Sequence, residues 1–220
     1  MKKQTKTVMF DLDGTVLDTL PDIAFSANYA LKKLGFPEQS MEQIRMAIGH
    51  GIRNLLKDLM KREDQEILEE CRSIFQDHYN KNKTLTTRPY DGIIELLQSL
   101  KDRGNRFFLI SNKYDGATQE LVTQFFGNVF DGVYGSRDGM LPKPDRAIFD
   151  LVCDEHLIDK ENVIYIGDSE VDCEFAKNCN IPFIGVSWGF RKKEELIACG
   201  AQIIVDSVSE LKDALLSFCS

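Results

Sequence analysis

The sequence has no apolar run long enough to cross a lipid bilayer, which takes about 20 consecutive apolar residues. The basic residues at the N-terminus are followed by only a short apolar stretch, whereas a secretory leader needs a longer one. We therefore expect neither a membrane span nor a signal peptide. The prediction is a cytoplasmic protein that does not use a membrane as a partner.

Cysteine pairs at the spacing of metal sites or redox motifs are also missing. The six cysteines include no Cys-x-x-Cys pair, so neither a zinc ribbon nor a thioredoxin-like centre is expected. Positive charge is not in excess either, since 27 Lys and Arg stand against 35 Asp and Glu. This balance argues against nucleic acid as a partner, and it requires any phosphate site to be positive locally.

Short apolar segments alternate with helical patterns over most of the chain. Most of these segments are continuous in their apolar residues, as expected for strands covered on both faces. Strands that alternate with helices indicate βαβ units, so we expect an α/β fold with a Rossmann-like parallel sheet. The predicted strands are Thr7–Asp11, Arg106–Ser111, Asp131–Tyr134, Val163–Gly167, Phe183–Ser187 and Ile203–Asp206.

One interval breaks this alternation. Between Leu20 and about Thr86 the sequence shows helical patterns and no convincing strand, and the interval is too long to be a loop. We predict a helical cap domain, residues 18–85, inserted into an α/β core made of residues 1–17 and 86–220. The insertion would place the cap above the carboxyl ends of the strands, where open α/β sheets bind ligands.

Two carboxylates stand at the end of the first predicted strand, in Asp11-Leu12-Asp13-Gly14-Thr15. Partly buried carboxylates this close repel each other unless one is protonated, hydrogen-bonded or bound to a cation. Mg²⁺ prefers one or two carboxylates together with water and substrate phosphate. Asp and Gly are also common in turns, so the metal interpretation depends on what the rest of the chain supplies.

Three further motifs follow in order, each close to a predicted strand or helix end. Ser111 at the end of the second strand can donate to a phosphate oxygen, and Lys143, before a helix, offers a point charge for a phosphate. The apolar strand after Asn162 runs into Asp168, which could be a further carboxylate for a metal. Asp172, on the first helical turn, could orient a water ligand or pair with Lys143, and Ser169 would cap that helix.

These four motifs, in this order, resemble those of the haloacid dehalogenase superfamily, and the helical insertion is similar to its class 1 cap. The resemblance implies that Asp11 is the nucleophile and forms an aspartyl-phosphate. Asp13 would be the general acid and then the general base. It also implies Mg²⁺, with Mn²⁺ as the alternative, held by the Asp11 carboxylate, the Asp13 carbonyl and Asp168.

The same resemblance assigns the phosphate-binding and supporting residues. Ser111 and Lys143 would bind the transferring phosphoryl group and stabilise its charge. Asp172 would hold Lys143 or a water ligand of the metal, with Ser169 beside it. The residues expected to contact phosphate are Ser111, Asn112, Lys143 and Gly14.

Within the superfamily the sequence resembles phosphoglycolate phosphatases. An acid at Asp13 suits a phosphate leaving group rather than a dehalogenation, and Gly49-His50-Gly51 predicts a turn that closely approaches a ligand. His50 and Arg53, with Arg45 as a further candidate, would contact the non-reacting end of the substrate, for example a carboxylate.

The predicted activity is hydrolysis of a small phosphorylated metabolite, most simply 2-phosphoglycolate, by a monomer or homodimer. An inorganic pyrophosphatase would accept the same site. A sugar-phosphate mutase similar to β-phosphoglucomutase would keep both aspartates but would have to protect its phosphoenzyme from water. A non-catalytic phosphate-ligand binder would be expected to have lost one of the four motifs, which are all intact.

Overall fold

Within residues 6–219, which the computed structural model describes, the chain forms a six-stranded parallel sheet. The strands of the molecule are β1 (Thr7–Phe10), β2 (Leu17–Asp18), β3 (Arg88–Pro89), β4 (Arg106–Tyr114), β5 (Gly132–Ser136), β6 (Val163–Gly167), β7 (Phe183–Val186) and β8 (Ile203–Val205). The order across the sheet is β5-β4-β1-β6-β7-β8, and neighbouring strands run parallel. The predicted α/β fold is confirmed.

Helices separate the strands and form the insertion. They are α1 (Leu20–Lys33), α2 (Met41–Ala47), α3 (Ile52–Met60), α4 (Gln65–Asn82), α5 (Ile93–Lys101), α6 (Asp115–Phe126), α7 (Ala147–His156), α8 (Glu170–Cys179), α9 (Lys193–Ala198) and α10 (Val208–Phe218). In the part of the chain that the structure covers, no helix has both the length and the apolar character needed to cross a bilayer.

The central strand β1 contributes to a hydrophobic layer on each face of the sheet. Val8 and Phe10 pack into one layer with α5 and α10, whereas Met9 packs into the other with α7 and α8. All three side chains are fully buried. Because successive side chains of a strand point to opposite faces, a strand covered on both sides needs apolar residues at every position.

Helices α1–α4, which we call the cap, have a hydrophobic cluster of their own. Leu31 of α1, Leu56 of α3 and Cys71 of α4 are fully buried in it, and each buried aliphatic side chain contributes roughly 1.5–3 kcal/mol. Ala117 of α6 joins the same cluster, so the cap packs on the rest of the chain, which we call the core. The division at residues 17/18 and 85/86 stays a prediction.

Two short strands connect the cap to the core, and the sequence analysis did not predict them. β2 and β3 pair antiparallel, Leu17 with Pro89 and Asp18 with Arg88. Strands of two residues are too short to show a hydrophobic period, which explains why they were missed. They lie where the chain leaves the core and returns to it, so the two connections are held side by side.

Asp22 ties the first cap helix to the returning chain. Its carboxylate accepts hydrogen bonds from the backbone N–H of Thr86 and Thr87 and from the Thr86 hydroxyl, the last at 2.6 Å. Burial raises the pKa of Asp22, but these hydrogen bonds more than offset it, and the pKa lies below its usual value. Both ends of the insertion are therefore fixed by one buried carboxylate.

Candidate active site

Three of the sequence motifs meet at one edge of the sheet. Asp11 directly follows β1, Ser111 lies in β4, and Asp168 directly follows β6. Because β4, β1 and β6 are adjacent and parallel, their carboxyl ends lie side by side. Lys143 reaches the same place from the loop before α7 and pairs with Asp11. The structure thus brings together the residues that the motifs singled out, and their roles stay predictions.

The Asp168 carboxylate is held in place through both of its oxygens. Oδ1 accepts a hydrogen bond from the Thr15 hydroxyl at 2.9 Å, and Oδ2 accepts one from the backbone N–H of Phe190 at 2.6 Å. A Cβ on Gly14 would lie 2.3 Å from Oδ2, and Gly14 has φ of +81°, so glycine is required. Gly14 was expected to contact the phosphate. Its N–H instead donates to the carbonyl of Leu17 and is therefore not free for that contact.

Lys143 connects two of the buried aspartates. Its Nζ donates to Oδ1 of Asp172 and to the Tyr165 hydroxyl, both at 2.7 Å, and lies 3.0 Å from Oδ1 of Asp11. Burial lowers the pKa of Lys143, but the charges of Asp11 and Asp172 more than offset it, so the pKa is raised. The ammonium is therefore charged at neutral pH and fixed in position.

Asp172 lies close to the two other buried aspartates but is occupied by other donors. Asp11, Asp168 and Asp172 each offer one carboxylate oxygen, and these three atoms lie within 4.8 Å of one another. Oδ1 of Asp172 accepts from Lys143, and its Oδ2 accepts from the Ser169 hydroxyl at 2.6 Å. This arrangement supports the expectation that Asp172 and Ser169 position Lys143 rather than bind a cation themselves.

The carboxylates of Asp11 and Asp168 fit a divalent cation, because each Asp168 oxygen accepts a single hydrogen bond among the described residues, whereas each Asp172 oxygen accepts two. Oδ1 of Asp11 is buried and, apart from the ion pair with Lys143, has no well-aligned hydrogen-bond partner among the described residues. Burial, partly offset by the charge of Lys143, raises the pKa of Asp11 to about 7. Burial, together with the charges of Asp172 and Asp11, raises the pKa of Asp168 well above its usual value. A cation between Asp11 and Asp168 would remove this penalty, and oxygen ligands of this kind suit Mg²⁺.

Asp13 lies in a different environment from Asp11. Its Oδ1 accepts a hydrogen bond from the Thr19 hydroxyl at 2.6 Å and lies 3.0 Å from Nζ of Lys113. Its side chain is 12% exposed and lines the cleft between core and cap. Asp13 therefore presents a hydrogen-bonded carboxyl group to the cleft from outside the cluster of the three buried aspartates.

Asn112 joins the core to the cap instead of offering its amide to a phosphate. Its Nδ2 donates to the carbonyls of Gly49 and Lys143 at 2.9 and 2.8 Å, and its Oδ1 accepts from the N–H of Lys143 at 2.7 Å. The side chain of Asn112 is thereby engaged, and contact of its backbone N–H with the phosphate stays a prediction. The neighbouring Ser111 is buried and lines the cleft.

The cleft above these residues has a volume of about 90 Å³ and lies between core and cap. Its core side carries the charged groups described above. Its cap side is mostly apolar and adds two amides; the cap side chains that line it are Ile23, Ile48, Ile52, Leu55, Phe75, Gln76, Tyr79 and Asn80. The cleft is therefore highly charged on one wall and nearly uncharged on the other.

The structure does not place the predicted cap residues His50, Arg53 and Arg45 among those that line the cleft. His50 and Arg53 are exposed, and Arg53 donates to the side chain of Gln65. Arg45 forms a bidentate pair with Glu42 at 2.7 and 2.8 Å. Gly49 and Gly51, on either side of His50, do line the cleft. Substrate contact by these three side chains stays a prediction.

The cleft is also lined by Lys113, Tyr79 and Arg191, which were not predicted as site residues from the sequence. Lys113 could have been found, since it follows the serine motif at a strand end. Arg191 donates to Glu170 and to the carbonyls of Arg45, Met46 and Ile48, which ties the core to the cap. Neither Arg191 nor Tyr79 belongs to a motif, and only folding brings them here.

Comparisons with known proteins agree with this geometry. A family model described as haloacid dehalogenase-like hydrolase matches residues 8–186. The chain is 32% identical over 211 residues to a phosphoglycolate phosphatase of Nitrosospira multiformis, with 93% of each chain covered. It is 27% identical over 222 residues to one of Vibrio parahaemolyticus, with 97% of each covered. A crystal structure described as a predicted phosphatase from Clostridium acetobutylicum superposes with a TM-score of 0.88 at 30% identity, covering 97% of this chain and 99% of that one.

Proposed function

Because the chain belongs to the haloacid dehalogenase-like hydrolase family and is a phosphatase, we propose that it hydrolyses 2-phosphoglycolate or a similar small phosphomonoester through an aspartyl-phosphate on Asp11. The observation that carries this proposal is that the carboxyl groups of Asp11 and Asp13 lie in different environments. Asp11 is buried beside Lys143, whereas Asp13 is bonded to Thr19 and faces the cleft. Two carboxyl groups held differently suit two different roles.

In the first half of the reaction the Asp11 carboxylate attacks phosphorus. The bond from phosphorus to the ester oxygen breaks, and protonated Asp13 gives its proton to that oxygen, so the alcohol leaves neutral. Lys143, held by Asp172 and Tyr165, places positive charge beside the attacking carboxylate and the phosphoryl oxygens. Ser111 donates its hydroxyl hydrogen to the same oxygens.

In the second half Asp13, now a carboxylate, accepts a proton from water. The water attacks phosphorus of the aspartyl-phosphate, the acyl phosphate bond breaks, and free Asp11 and inorganic phosphate result. Asp13 ends protonated, ready for the next substrate. The Thr19 hydroxyl, 2.6 Å from Oδ1 of Asp13, holds the carboxyl group in one orientation through both half-reactions.

Asp11 and Asp168 would hold the divalent cation that the resemblance implies. Bound there, Mg²⁺ would supply positive charge that keeps Asp11 ionised and offsets its repulsion from the phosphate dianion. The cap excludes bulk water over the site and thereby strengthens these charge interactions.

The test is release of inorganic phosphate in Mg²⁺ from a panel of substrates, with Asp11→Asn as the blank. The panel contains 2-phosphoglycolate, pyrophosphate, glucose phosphates, nucleoside monophosphates and p-nitrophenyl phosphate. We expect the highest kcat/KM on 2-phosphoglycolate. Faster turnover of pyrophosphate would replace the proposal with a pyrophosphatase.

A further test follows the intermediate directly. Acid quenching of the enzyme during turnover should trap phosphate covalently on the protein, and the label should be absent from Asp11→Asn. Phosphate release without any trapped phosphoenzyme, under conditions that trap it in a known aspartyl-phosphate enzyme, would contradict the covalent route.

A further inference from the structure

Resting on the proposed function, we propose that Lys113 of the core and Tyr79 of the cap form a subsite for a carboxylate on the carbon next to the ester oxygen. The subsite would make the enzyme selective for small phosphomonoesters whose leaving group carries that negative charge. Such a subsite needs a cation that faces the cleft and can still take a ligand.

Three cationic side chains line the cleft among the described residues: Lys113, Lys143 and Arg191. Lys143 is engaged by Asp11, Asp172 and the Tyr165 hydroxyl. It therefore belongs to the phosphoryl end of the cleft.

Arg191 is saturated by other partners. Its Nε and Nη2 bind both carboxylate oxygens of Glu170 at 2.6 and 2.9 Å. Its Nη1 and Nη2 donate to the carbonyls of Arg45 and Ile48 at 3.1 and 2.9 Å. A substrate carboxylate would have to displace these contacts, so Arg191 is a poor receptor for it.

Lys113 has fewer partners. Its Nζ lies 3.0 Å from Oδ1 of Asp13 and 4.8 Å from the centre of the Tyr79 ring, and the side chain is 8% exposed. An ammonium group has three hydrogens and no acceptor, so a pair with Asp13 leaves capacity for a second anion. Burial lowers the pKa of Lys113, but Asp13 more than offsets this, so the group stays charged.

Tyr79 supplies the second donor. Its side chain is buried and lines the cleft, and the neighbour of its hydroxyl is the ammonium group of Lys113. Since an ammonium group cannot accept a hydrogen bond, the hydroxyl hydrogen of Tyr79 has no acceptor among the described residues. A buried donor without an acceptor is unfavourable. Phe75, stacked on the Tyr79 ring at 5.3 Å, holds the ring in place. An anion bound to Lys113 would give the Tyr79 hydroxyl an acceptor.

The position of Asp13 sets the chemistry of the ligand. As the acid for the leaving oxygen, Asp13 has to lie against that oxygen, and Lys113 is its direct neighbour. A carboxylate one carbon away from the ester oxygen would therefore come within reach of Lys113. The rest of the cap wall is apolar apart from Gln76 and Asn80, and it offers such a charge no other cation.

The experiment compares two substrates of equal length, 2-phosphoglycolate and 2-hydroxyethyl phosphate, which differ in having a carboxylate or a neutral hydroxymethyl group. The quantity measured is the ratio of their kcat/KM values. We expect the wild type to favour 2-phosphoglycolate, and Lys113→Met to lower this ratio by at least about tenfold. Tyr79→Phe should lower it by a smaller factor, and Lys113→Arg should largely retain it.

Lys57→Met is the matched control for the loss of a paired lysine, because Lys57, on the cap helix α3, is 44% exposed, pairs with Glu63 and does not line the cleft. Its ratio should equal that of the wild type. Any effect of Lys113 on Asp13 as an acid slows both substrates and cancels in the ratio. If Lys113→Met does not fold, as judged by thermal melting, Tyr79→Phe, which loses only a hydroxyl, carries the test.

Two results would overturn the subsite. One is a wild-type ratio near one with both substrates hydrolysed, which leaves the phosphatase activity standing. The other is an equal loss on both substrates in Lys113→Met. If neither substrate is turned over, the proposed function fails. Binding of the two compounds, measured by calorimetry on Asp11→Asn with and without the additional Lys113→Met substitution, still decides whether Lys113 recognises the carboxylate.

Discussion

All charged side chains that line the cleft lie on its core wall, whereas the cap wall consists of apolar side chains, two amides and one tyrosine hydroxyl. The core groups fix each other: Lys143 joins Asp11 and Asp172, and Thr15 holds Asp168. The cap is attached to the core in a different manner. Core side chains donate to its backbone carbonyls, as Asn112 does to Gly49.

Because of this difference, the two walls of the cleft should tolerate mutation to different degrees. A buried charge network tolerates little change, because removing one partner leaves another buried charge uncompensated. Contacts to backbone carbonyls do not depend on the cap side chains that make up the wall. The cap can therefore vary the residues facing the substrate while it still closes over the same chemistry, and mutations in the two walls should differ in kind.

The largest expected effect is in the core wall. Asp11→Asn removes the nucleophile while keeping the shape of the side chain, so we expect kcat to fall by at least about a thousandfold. The fold should be unchanged, because Asp172 still compensates the buried charge of Lys143 and because burial of the Asp11 carboxylate, which raises its pKa, is a cost to stability. Phosphate release, circular dichroism and thermal melting are the measurements. Residual turnover within tenfold of the wild type would exclude Asp11 as the nucleophile.

Removal of divalent cations should have the next largest effect. Dialysis against EDTA is expected to abolish phosphate release, and Mg²⁺ to restore it, because Asp11 would otherwise be partly protonated near neutral pH. Mg²⁺ should also raise the Tm of the wild type but not that of Asp168→Asn. Full activity in EDTA would show that the buried aspartates do not need a cation.

Arg191→Ala tests the attachment of the cap. It leaves the carboxylate of Glu170 and the carbonyls of the cap loop without their donor, so we expect KM to rise by about tenfold and stability to fall by about 1–3 kcal/mol. Arg146→Ala is the control, since Arg146 is exposed and pairs with Asp150 away from the cleft. Unchanged KM in Arg191→Ala would mean that these contacts do not govern closure.

Asp22→Asn tests the connection between cap and core. The folded-state pKa of Asp22 is lowered by its hydrogen bonds, so its stabilising effect is present at neutral pH and is lost as the pH falls below about 3.8. We expect the substitution to cost about 1–2 kcal/mol at pH 7 and less at low pH. Urea unfolding at both pH values measures this, and an equal cost at both would contradict it.

The smallest effects are expected from His50→Ala and Arg53→Ala. Both side chains are exposed and lie outside the residues that line the cleft, so kcat/KM should change by less than about twofold. Steady-state kinetics over the substrate panel is the measurement. A selective change in preference among substrates would support the sequence-based assignment of these residues to the substrate.

The positions of the main core-wall residues were largely predictable because these residues belong to motifs at or near the ends of strands and the starts of helices. Asp11 and Asp168 directly follow β1 and β6, and Ser111 lies in the neighbouring strand β4, so their convergence follows from a parallel sheet alone. The cap wall was not predictable in the same way. Tyr79 lies in the last turn of α4, where an aromatic residue at helical spacing is most simply a core residue.

Some residues were predicted with the correct position and a different use. Gly14 was expected at the phosphate, but its N–H is taken by Leu17, and the position requires glycine because of its φ and its contact with Asp168. The side-chain amide of Asn112 holds Gly49 and Lys143, so the predicted phosphate contact of this residue is left to its backbone N–H. A sequence shows where a polar group stands along the chain, but not which of its neighbours takes its hydrogen bonds.

The sequence by itself determined the α/β fold, the helical insertion and the family, because hydrophobic periods and strand-end motifs are local patterns. Only the tertiary structure decided which cations face the cleft. Lys113 meets Tyr79 and Asp13, and Arg191 reaches the carbonyl of Ile48, through contacts between residues far apart in the chain. Such contacts depend on how the cap packs on the core, and no local pattern of residue types encodes that packing.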